Sequence, residues 1–305
     1  MNIIIPGGAG FVGRNLVRVL KSENFNMEEI TILDKDEKNL EYVKRYGVNA
    51  LYVDLAEKGD WYDEFKGTGM IINLVAQISS TNPELFYRNN VLTTKNVLEA
   101  AKEAGVKRII HFSSAAVLSV RKDYYAQTKL AAEELVKTSG FEYCVLQPSI
   151  MYGPTDDKNI GFLIEFAKKV PCFPIPGHGK WPRQPIYIDD VCYLVISLLR
   201  NFAANKVYSI NGRDVIYFRE MIKIVLKQLG GFKFRVFLPI SLFKFLMMSY
   251  QKLTGSIQFT SDQVDSLTAG EIFPNYAWWA EFNIEVTSFE NGVKRMVNFD
   301  NEVKG

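Results

Sequence analysis

At 305 residues, with 48% apolar side chains, the chain is long enough for one large α/β domain or two smaller ones with a sizeable core. Lys plus Arg is 36 and Asp plus Glu is 34, a formal charge of +2, which gives no reason to expect a nucleic acid as partner. Cys144, Cys172 and Cys192 show no metal spacing and read as free thiols in a reducing cytoplasm, and His111 and His178 cannot supply a metal cluster, so no metal is expected.

Met1 runs straight into a strand, with no signal-peptide pattern before it. The most apolar stretch, residues 237–250, is broken by Pro239 and Lys244 and is too short to span a bilayer, so no stable membrane insertion is expected.

The chain opens on an isoleucine run, Ile3-Ile4-Ile5, that reads as a buried strand. Glycines follow at Gly7, Gly10 and Gly13, and an apolar helical pattern begins at Phe11 and Val12. Strand, glycine turn and helix N-terminus are what a dinucleotide pyrophosphate needs: a tight turn, close backbone approach and free N–H groups. The G-x-x-G-x-x-G spacing resembles that of the short-chain dehydrogenase/reductase superfamily, in its extended, sugar-nucleotide branch. Pro6 stands where that superfamily usually has threonine.

A second strand over residues 30–33 ends at Asp34, about 20 residues past the glycines, where a carboxylate can accept from the adenosine ribose hydroxyls. It also repels a 2′-phosphate and so favours NAD over NADP; Lys35 is the counter-signal, and a plain turn residue is the alternative. A helix over about 37–46 leads to a strand at 50–53. The resemblance implies that Asp54 and Leu55, which follow it, lie against the adenine; a turn role for Asp54 stays open. Residues 70–76 read as a fourth strand, buried on both faces. Its end, with Leu74 and Ala76, matches the small-residue corner beside the cofactor in that family.

Asn82 and Pro83 open a long helix that closes at Gly105, with Asn as N-cap, Pro in the first turn and Gly at the C-cap. Within it, residues 90–96 resemble the family's Asn-Val-x-Gly-Thr-x-Asn, with Thr93 for Gly. Asn90 then either fixes the backbone under the active site or is solvated. A fifth strand spans 108–112. The unbroken alternation of strands and helices to about residue 147 is the pattern of an α/β, doubly wound parallel sheet.

Ser113 and Ser114 end the fifth strand, and Tyr125 and Lys129 follow on a helix over 123–137. Four residues apart, Tyr125 and Lys129 share a face, and Tyr124 does not share it with Lys129. A fixed ammonium, with oxidised nicotinamide, is expected to bring the phenol down toward working pH. The combination of glycine turn, Asp34, Ser pair and Tyr-x-x-x-Lys resembles the NAD-dependent epimerase/dehydratase family over most of the chain. The resemblance makes Ser114, Tyr125 and Lys129 the catalytic set, Ser114 also touching substrate. Ala115-Ala116 stand where 4,6-dehydratases have Asp-Glu, so dehydration lacks its acid and base. The segment from Ser114 to Tyr125 is shorter than in sugar epimerases.

Further on, Pro148 to Pro154 resembles the family's Arg-Pro-x-x-x-Tyr-Gly-Pro, with Gln147 for Arg. It implies Pro148 at the nicotinamide and Tyr152 in substrate binding. Arg183, four residues before Tyr187-Ile188-Asp189, matches the family arginine that binds the substrate diphosphate, a role its forked donors suit; a surface arginine is the alternative. Residues 207–212 look like a last strand returning to the sheet, 218–230 like an amphipathic helix, and 282–292 like a small closing strand and terminal helix. Trp278-Trp279 either stack on a base or fill the small lobe's core.

The resemblance therefore implies a doubly wound parallel Rossmann domain over 1–154, rejoined by 186–212, and a smaller C-terminal α/β substrate lobe within 155–305. It implies an NAD-dependent epimerase of a nucleotide-activated sugar, cytoplasmic and homodimeric through the 82–105 and 123–137 helices, with Phe86, Leu92 and Leu130 as facing candidates. A keto-sugar reductase or hydroxyl dehydrogenase, or a non-catalytic dinucleotide-binding subunit, are the alternatives.

Overall fold

The computed structural model describes residues 1–80, 82–120, 122–230, 233–254, 268, 270, 272–274 and 276–304. They form two compact units: Met1–Ser149 with Ile188–Ile210 and Asn275–Glu285, and Ile150–Tyr187 with Asn211–Pro274 and Val286–Gly305.

In the first unit, β1 (Ile3–Pro6) is wholly buried, and α1 (Phe11–Ser22) follows the glycine turn. β2 (Ile30–Asp34), α2 (Glu37–Lys44), β3 (Asn49–Tyr52) and β4 (Met70–Asn73) continue the alternation. β4 ends three residues earlier than its apolar run, because residues 74–77 leave the sheet as a corner; Leu74 N donates to Pro6 O at 2.9 Å.

The long helix is not one α-helix. It is α3 (Pro83–Phe86), a π-helical turn (Tyr87–Leu92) and α4 (Thr93–Glu103). Asn82 caps it by accepting from Glu84 N at 2.9 Å, and Gly105, at φ +71, takes the left-handed exit that a side chain rarely adopts. The π-turn inserts one residue per bond and turns Asn89 and Asn90 inward, both buried.

β5 (Arg108–Phe112), α5 (Tyr124–Lys137) and β6 (Glu142–Pro148) complete the run. Asp123 sits just outside α5 as its N-cap, accepting from Ala126 N at 2.8 Å. In the second unit come β7 (Met151–Tyr152), α6 (Ile160–Lys169), β8 (Cys172–Pro176), β9 (Pro182–Arg183) and β10 (Ile186–Tyr187). The chain then returns to the first unit with α7 (Ile188–Arg200) and β11 (Lys206–Ile210).

The sheet is seven-stranded in the order β11-β6-β5-β4-β1-β2-β3, all parallel. The order reverses between β1 and β4, so the ends of those strands form the crevice where doubly wound sheets bind ligands. One face is filled by a cluster that includes Ile4, Leu33, Ile71, Val97, Ile109 and Val145.

The second unit adds β12 (Ile216–Tyr217), α8 (Phe218–Leu229), β13 (Phe234–Leu238) and α9 (Ile240–Thr254). β13 runs parallel to β8, in register from Phe234 with Cys172 to Leu238 with Pro176. The short helix α10 (Trp278–Glu281) belongs to the first unit, where Tyr208 Oη donates to Glu281 Oε1 at 2.7 Å. Trp278 is a core residue, 1% exposed, but of the first unit and not of the small lobe.

α11 (Phe289–Lys304) closes the chain; the expected small strand before it is a turn and extended coil. All three cysteines are free. Among the described residues no helix is long and apolar enough to cross a membrane.

Candidate active site

The crevice holds three groups of side chains, all in the first unit. The glycine turn comes first. Gly7 has φ +74, and a Cβ there would lie 2.8 Å from Val75 N, so only glycine fits against the corner after β4. At Gly13 a Cβ would meet Gly8 O at 2.0 Å, so α1 packs directly on the turn. α1 opens at Gly10 with no capping side chain and no acidic residue in its first turn, which leaves the N–H groups of Phe11, Val12 and Gly13 for an anion.

Asp34 closes this turn. Its Oδ2 accepts from Ala9 N at 2.9 Å, and its Oδ1 accepts from Lys35 N at 2.7 Å and Asp36 N at 3.1 Å. Burial pushes its pKa up, against the pull of those three N–H groups. Lys35 turns away: its Nζ donates to Asn89 Oδ1 at 2.9 Å and pairs with Asp54 at 3.7 Å.

Asp54 also accepts from Ala56 N and from Arg88 Nη1, at 3.1 and 2.9 Å. Asp54 thus stands in a turn and in an ionic cluster with Lys35 and Arg88. Leu55, expected against an adenine, is 5% exposed and packs in the core with Trp61 and Val97, which leaves little of it for a ring to rest on. Leu74 is buried, Ala76 is exposed, and Pro148 ends β6 in register with Ile210.

The catalytic candidates form the second group. Ser114 leaves β5, and its Oγ accepts from Ala116 N at 3.2 Å while also hydrogen-bonding the Tyr125 hydroxyl. Ser113 faces the other way: its Oγ donates to Glu133 Oε2 at 2.7 Å. Tyr125 is half-buried, and Tyr124 is 56% exposed. Lys129 is 1% exposed, and its Nζ donates to Val75 O at 3.1 Å and Phe112 O at 2.6 Å. Those two carbonyls, at the ends of β4 and β5, fix the ammonium at the switch point.

With the protein groups alone, the Tyr125 phenol lies above its ordinary value. Burial pushes it up, the Ser114 hydrogen bond pulls it down, and Asp123 adds to the rise. Burial also drives Lys129 down to about 8, opposed by the Glu133 carboxylate. The ammonium and the phenol are thus both burdened by desolvation.

The third group is a polar network beneath. Asn90 is fully buried, which decides between its two readings. Its Oδ1 accepts from Gln77 N at 2.6 Å, and its Nδ2 donates to Gln77 O at 3.3 Å and to Thr128 Oγ1 at 2.9 Å. It ties the corner after β4 to the first turns of α5, and hence to Tyr125.

Sequence reasoning missed Glu133, 3% exposed, which accepts from Ser113 Oγ and from Gln147 Nε2 at 3.0 Å. Its spacing of four from Lys129 on one helix was the signal. His111 is buried with Nδ1 3.1 Å from Asn73 Nδ2; burial and the Lys129 charge hold it well below 6.5, as a neutral ring.

Two expected substrate residues lie in the second unit. Arg183 is 8% exposed, and its Nη1 donates to Pro182 O at 3.0 Å, so it is not a surface arginine. Tyr152 is a correction. It is fully buried in that unit's core, edge-on to Tyr187 at 5.5 Å and tilted against Phe289 at 5.1 Å, so its ring fills volume that a substrate cannot reach. Phe86, expected on a dimer face, is likewise buried, at 7% exposed, within its own unit.

The model of the NAD dependent epimerase/dehydratase family matches residues 3–211. The chain belongs to that family. NAD is accordingly its cofactor, and the open turn at α1 with Asp34 beside it fits that group. This epimerase/dehydratase-family chain is 30% identical over 211 residues to sterol-4-alpha-carboxylate 3-dehydrogenase, decarboxylating, of Homo sapiens, a match covering 62% of the chain and 55% of that protein.

The chain spans about half the length of the curated relatives it matches. Among solved structures, UDP-glucose 4-epimerase of Thermotoga maritima matches with TM-score 0.80 and 19% identity, over 100% of both chains. UDP-glucuronic acid 4-epimerase of Bacillus cereus in complex with NAD matches with TM-score 0.74 and 18% identity, again over 100% of both. At such identities the likeness is one of fold.

Proposed function

We propose that the chain is an NAD-dependent epimerase of a nucleotide-activated sugar, with Tyr125 as the acid–base group. The observation that carries this reading is the Ser114–Tyr125 hydroxyl pair with the fully buried Lys129, whose ammonium is held at the ends of β4 and β5. The match of fold to UDP-sugar epimerases over the whole chain supports the substrate class.

When bound, NAD would supply a hydride acceptor and donor for the carbinol carbon of the sugar. The chain does the rest. Gly7, Gly10 and Gly13 with the first turn of α1 hold the pyrophosphate, and Asp34 holds the adenosine ribose. Ser114 orients the substrate hydroxyl by hydrogen bond. Tyr125 removes its proton as the carbinol becomes a ketone and gives it back on reduction. Lys129, fixed by Val75 O and Phe112 O, supplies the positive charge that offsets the burial of the phenolate. Arg183 holds the substrate diphosphate in the second unit. The exposed rings of Tyr87 and Tyr124, on helices that pack together, support a homodimer through that face, with Leu85 beside them.

Incubation with UDP-, GDP-, dTDP- and CDP-sugars, followed by NMR at the sugar carbons, tests the reading. Inversion of one carbinol with no net NADH is expected. No inversion of any sugar in the panel sinks it. A second reading is a hydroxyl dehydrogenase, favoured by the 30% identical sterol-carboxylate dehydrogenase; it demands stoichiometric NADH.

A further inference from the structure

Glu133 is a buried carboxylate with no part in the proton transfer. It lies on α5 and is 3% exposed. It accepts from Ser113 Oγ at 2.7 Å, and from Gln147 Nε2 at 3.0 Å on Oε2 and 3.2 Å on Oε1. Both donors are neutral. A carboxylate taken out of water is costly unless a cation stands near it. Lys137, on the same helix, reaches it only at 4.0 Å and is paired with Glu134 at 2.7 Å.

The buried cation of the same layer is Lys129. It precedes Glu133 by four residues, so the two share a face of α5, with Cβ atoms about 5–6 Å apart. Consecutive residues at the end of β5 hold them. Lys129 Nζ donates to Phe112 O at 2.6 Å, and Glu133 takes the hydroxyl of Ser113. Ser113 N in turn donates to Leu146 O at 2.8 Å, next to Gln147 on β6. The ends of β5 and β6 thus fix the ammonium and the carboxylate on one side of the helix.

The neighbouring charges lie elsewhere. His111 of β5 is buried near Lys129 and is a neutral ring. Tyr125, one turn back on α5, hydrogen-bonds Ser114, and Tyr143 of β6 faces Lys137. On α4, which packs against α5, Lys95, Lys102 and Glu103 are exposed and Glu99 pairs with Lys58. Among the described residues, no other charged side chain is buried between α5 and the sheet.

Position 147 decides where the charge of Glu133 acts. Gln147 stands where the family motif has arginine. A guanidinium there would fork onto the carboxylate and neutralise it. An amide satisfies its hydrogen bonds and leaves the charge in place. We propose that Glu133 is the counter-ion that keeps Lys129 protonated in its buried place, and that Gln147 is the residue that leaves it free to do so. Glu133 is then a positioning residue, acting on Tyr125 through Lys129. The proposal rests on the role given to Lys129 above, but its test needs no substrate, so a failure to epimerise any sugar leaves it standing.

The test is urea unfolding of the full chain between about pH 6 and pH 10. The parent, Glu133→Gln, Glu133→Asp and Gln147→Arg are each measured with and without Lys129→Met. The difference within each pair reports the protonation of Lys129. In the parent, stability owed to Lys129 rises with pH from about 8, because the folded ammonium loses its proton before the unfolded one does. Removing the carboxylate's charge favours earlier loss of that proton. Glu133→Gln and Gln147→Arg should therefore each move the onset of the rise down by about one pH unit or more. Glu133→Asp, which keeps the charge, should leave the onset near that of the parent. A merely structural role would lower stability at every pH and leave the onset in place. An onset unmoved in both Glu133→Gln and Gln147→Arg overturns the proposal, as does a Glu133→Asp onset displaced as far as that of Glu133→Gln. If Glu133→Gln does not fold, Gln147→Arg, which keeps the carboxylate and its burial, decides alone.

Discussion

Lys129→Met separates stability from activity in a way that can be worked out from the structure. The buried ammonium has its pKa driven from 10.5 to about 8. Unfolding returns it to water. Between those two values the unfolded chain binds more protons than the folded one, so the parent gains stability as the pH rises through 8 toward 10.5.

At about pH 7 both states are protonated, and the burial costs about 3 kcal/mol, at 1.36 kcal/mol per pH unit. At about pH 9.5 the folded group is neutral and the cost falls to about 1 kcal/mol. The parent should therefore gain about 2 kcal/mol over that interval that the methionine variant does not. Groups common to both chains cancel in the comparison.

Urea unfolding of parent and variant at the two pH values reads the difference as a shift in midpoint at constant slope. The variant also loses the bonds to Val75 O and Phe112 O, which offsets part of its relief at pH 7. Turnover should fall by about a hundredfold or more, because the charge beside the phenolate is gone. An identical pH dependence of stability in the two proteins refutes the reasoning.

Tyr125→Phe should lower turnover by about 10²–10⁴-fold with NAD still bound, while Tyr124→Phe, whose ring is exposed, leaves it near the parent. Stopped assays on the two variants check this, and a reversed order refutes the assignment. Asp34→Ala should weaken NAD and narrow its advantage over NADP in paired titrations, and a parent that binds NADP more tightly contradicts it. Arg183→Ala should raise the substrate KM, since truncating one partner of a desolvated charge pair costs about 2–5 kcal/mol, with a smaller change in NAD affinity. Asn90→Ala leaves Gln77 N without its partner and removes the donor to Thr128 Oγ1, so thermal unfolding should report a loss of about 1–3 kcal/mol and kcat should fall with it.

The order of elements through residue 148 was legible because each rests on local chemistry. The isoleucine run of β1 and the Asn82 and Asp123 caps declare themselves within a few residues. The glycine turn was legible too, since the spacing of Gly7, Gly10 and Gly13 encodes backbone sterics and not distant contacts. The proximity of Tyr125 and Lys129 on one helix face follows from the helical period alone.

What the sequence could not decide depends on which side chains meet across elements. The different partners of Ser113 and Ser114 are one case: Glu133, 20 residues away from Ser113, takes its hydroxyl, while Ser114 meets Tyr125. Asn90 reads as solvent-facing or buried until the π-turn rotates it inward onto Gln77 and Thr128. Tyr152 carries the family's motif yet fills a core, because Tyr187 and Phe289 from distant segments close around it.

A Lys four residues away suggests a charge beside the phenol, but only the tertiary structure gives the burial that raises the phenol and weakens the ammonium. By itself, then, the sequence determined the parallel α/β order, the dinucleotide turn and the helix face shared by Tyr125 and Lys129, all set by short-range geometry. The tertiary structure decided desolvation and polar partnership, which arise where residues far apart in the chain are packed together.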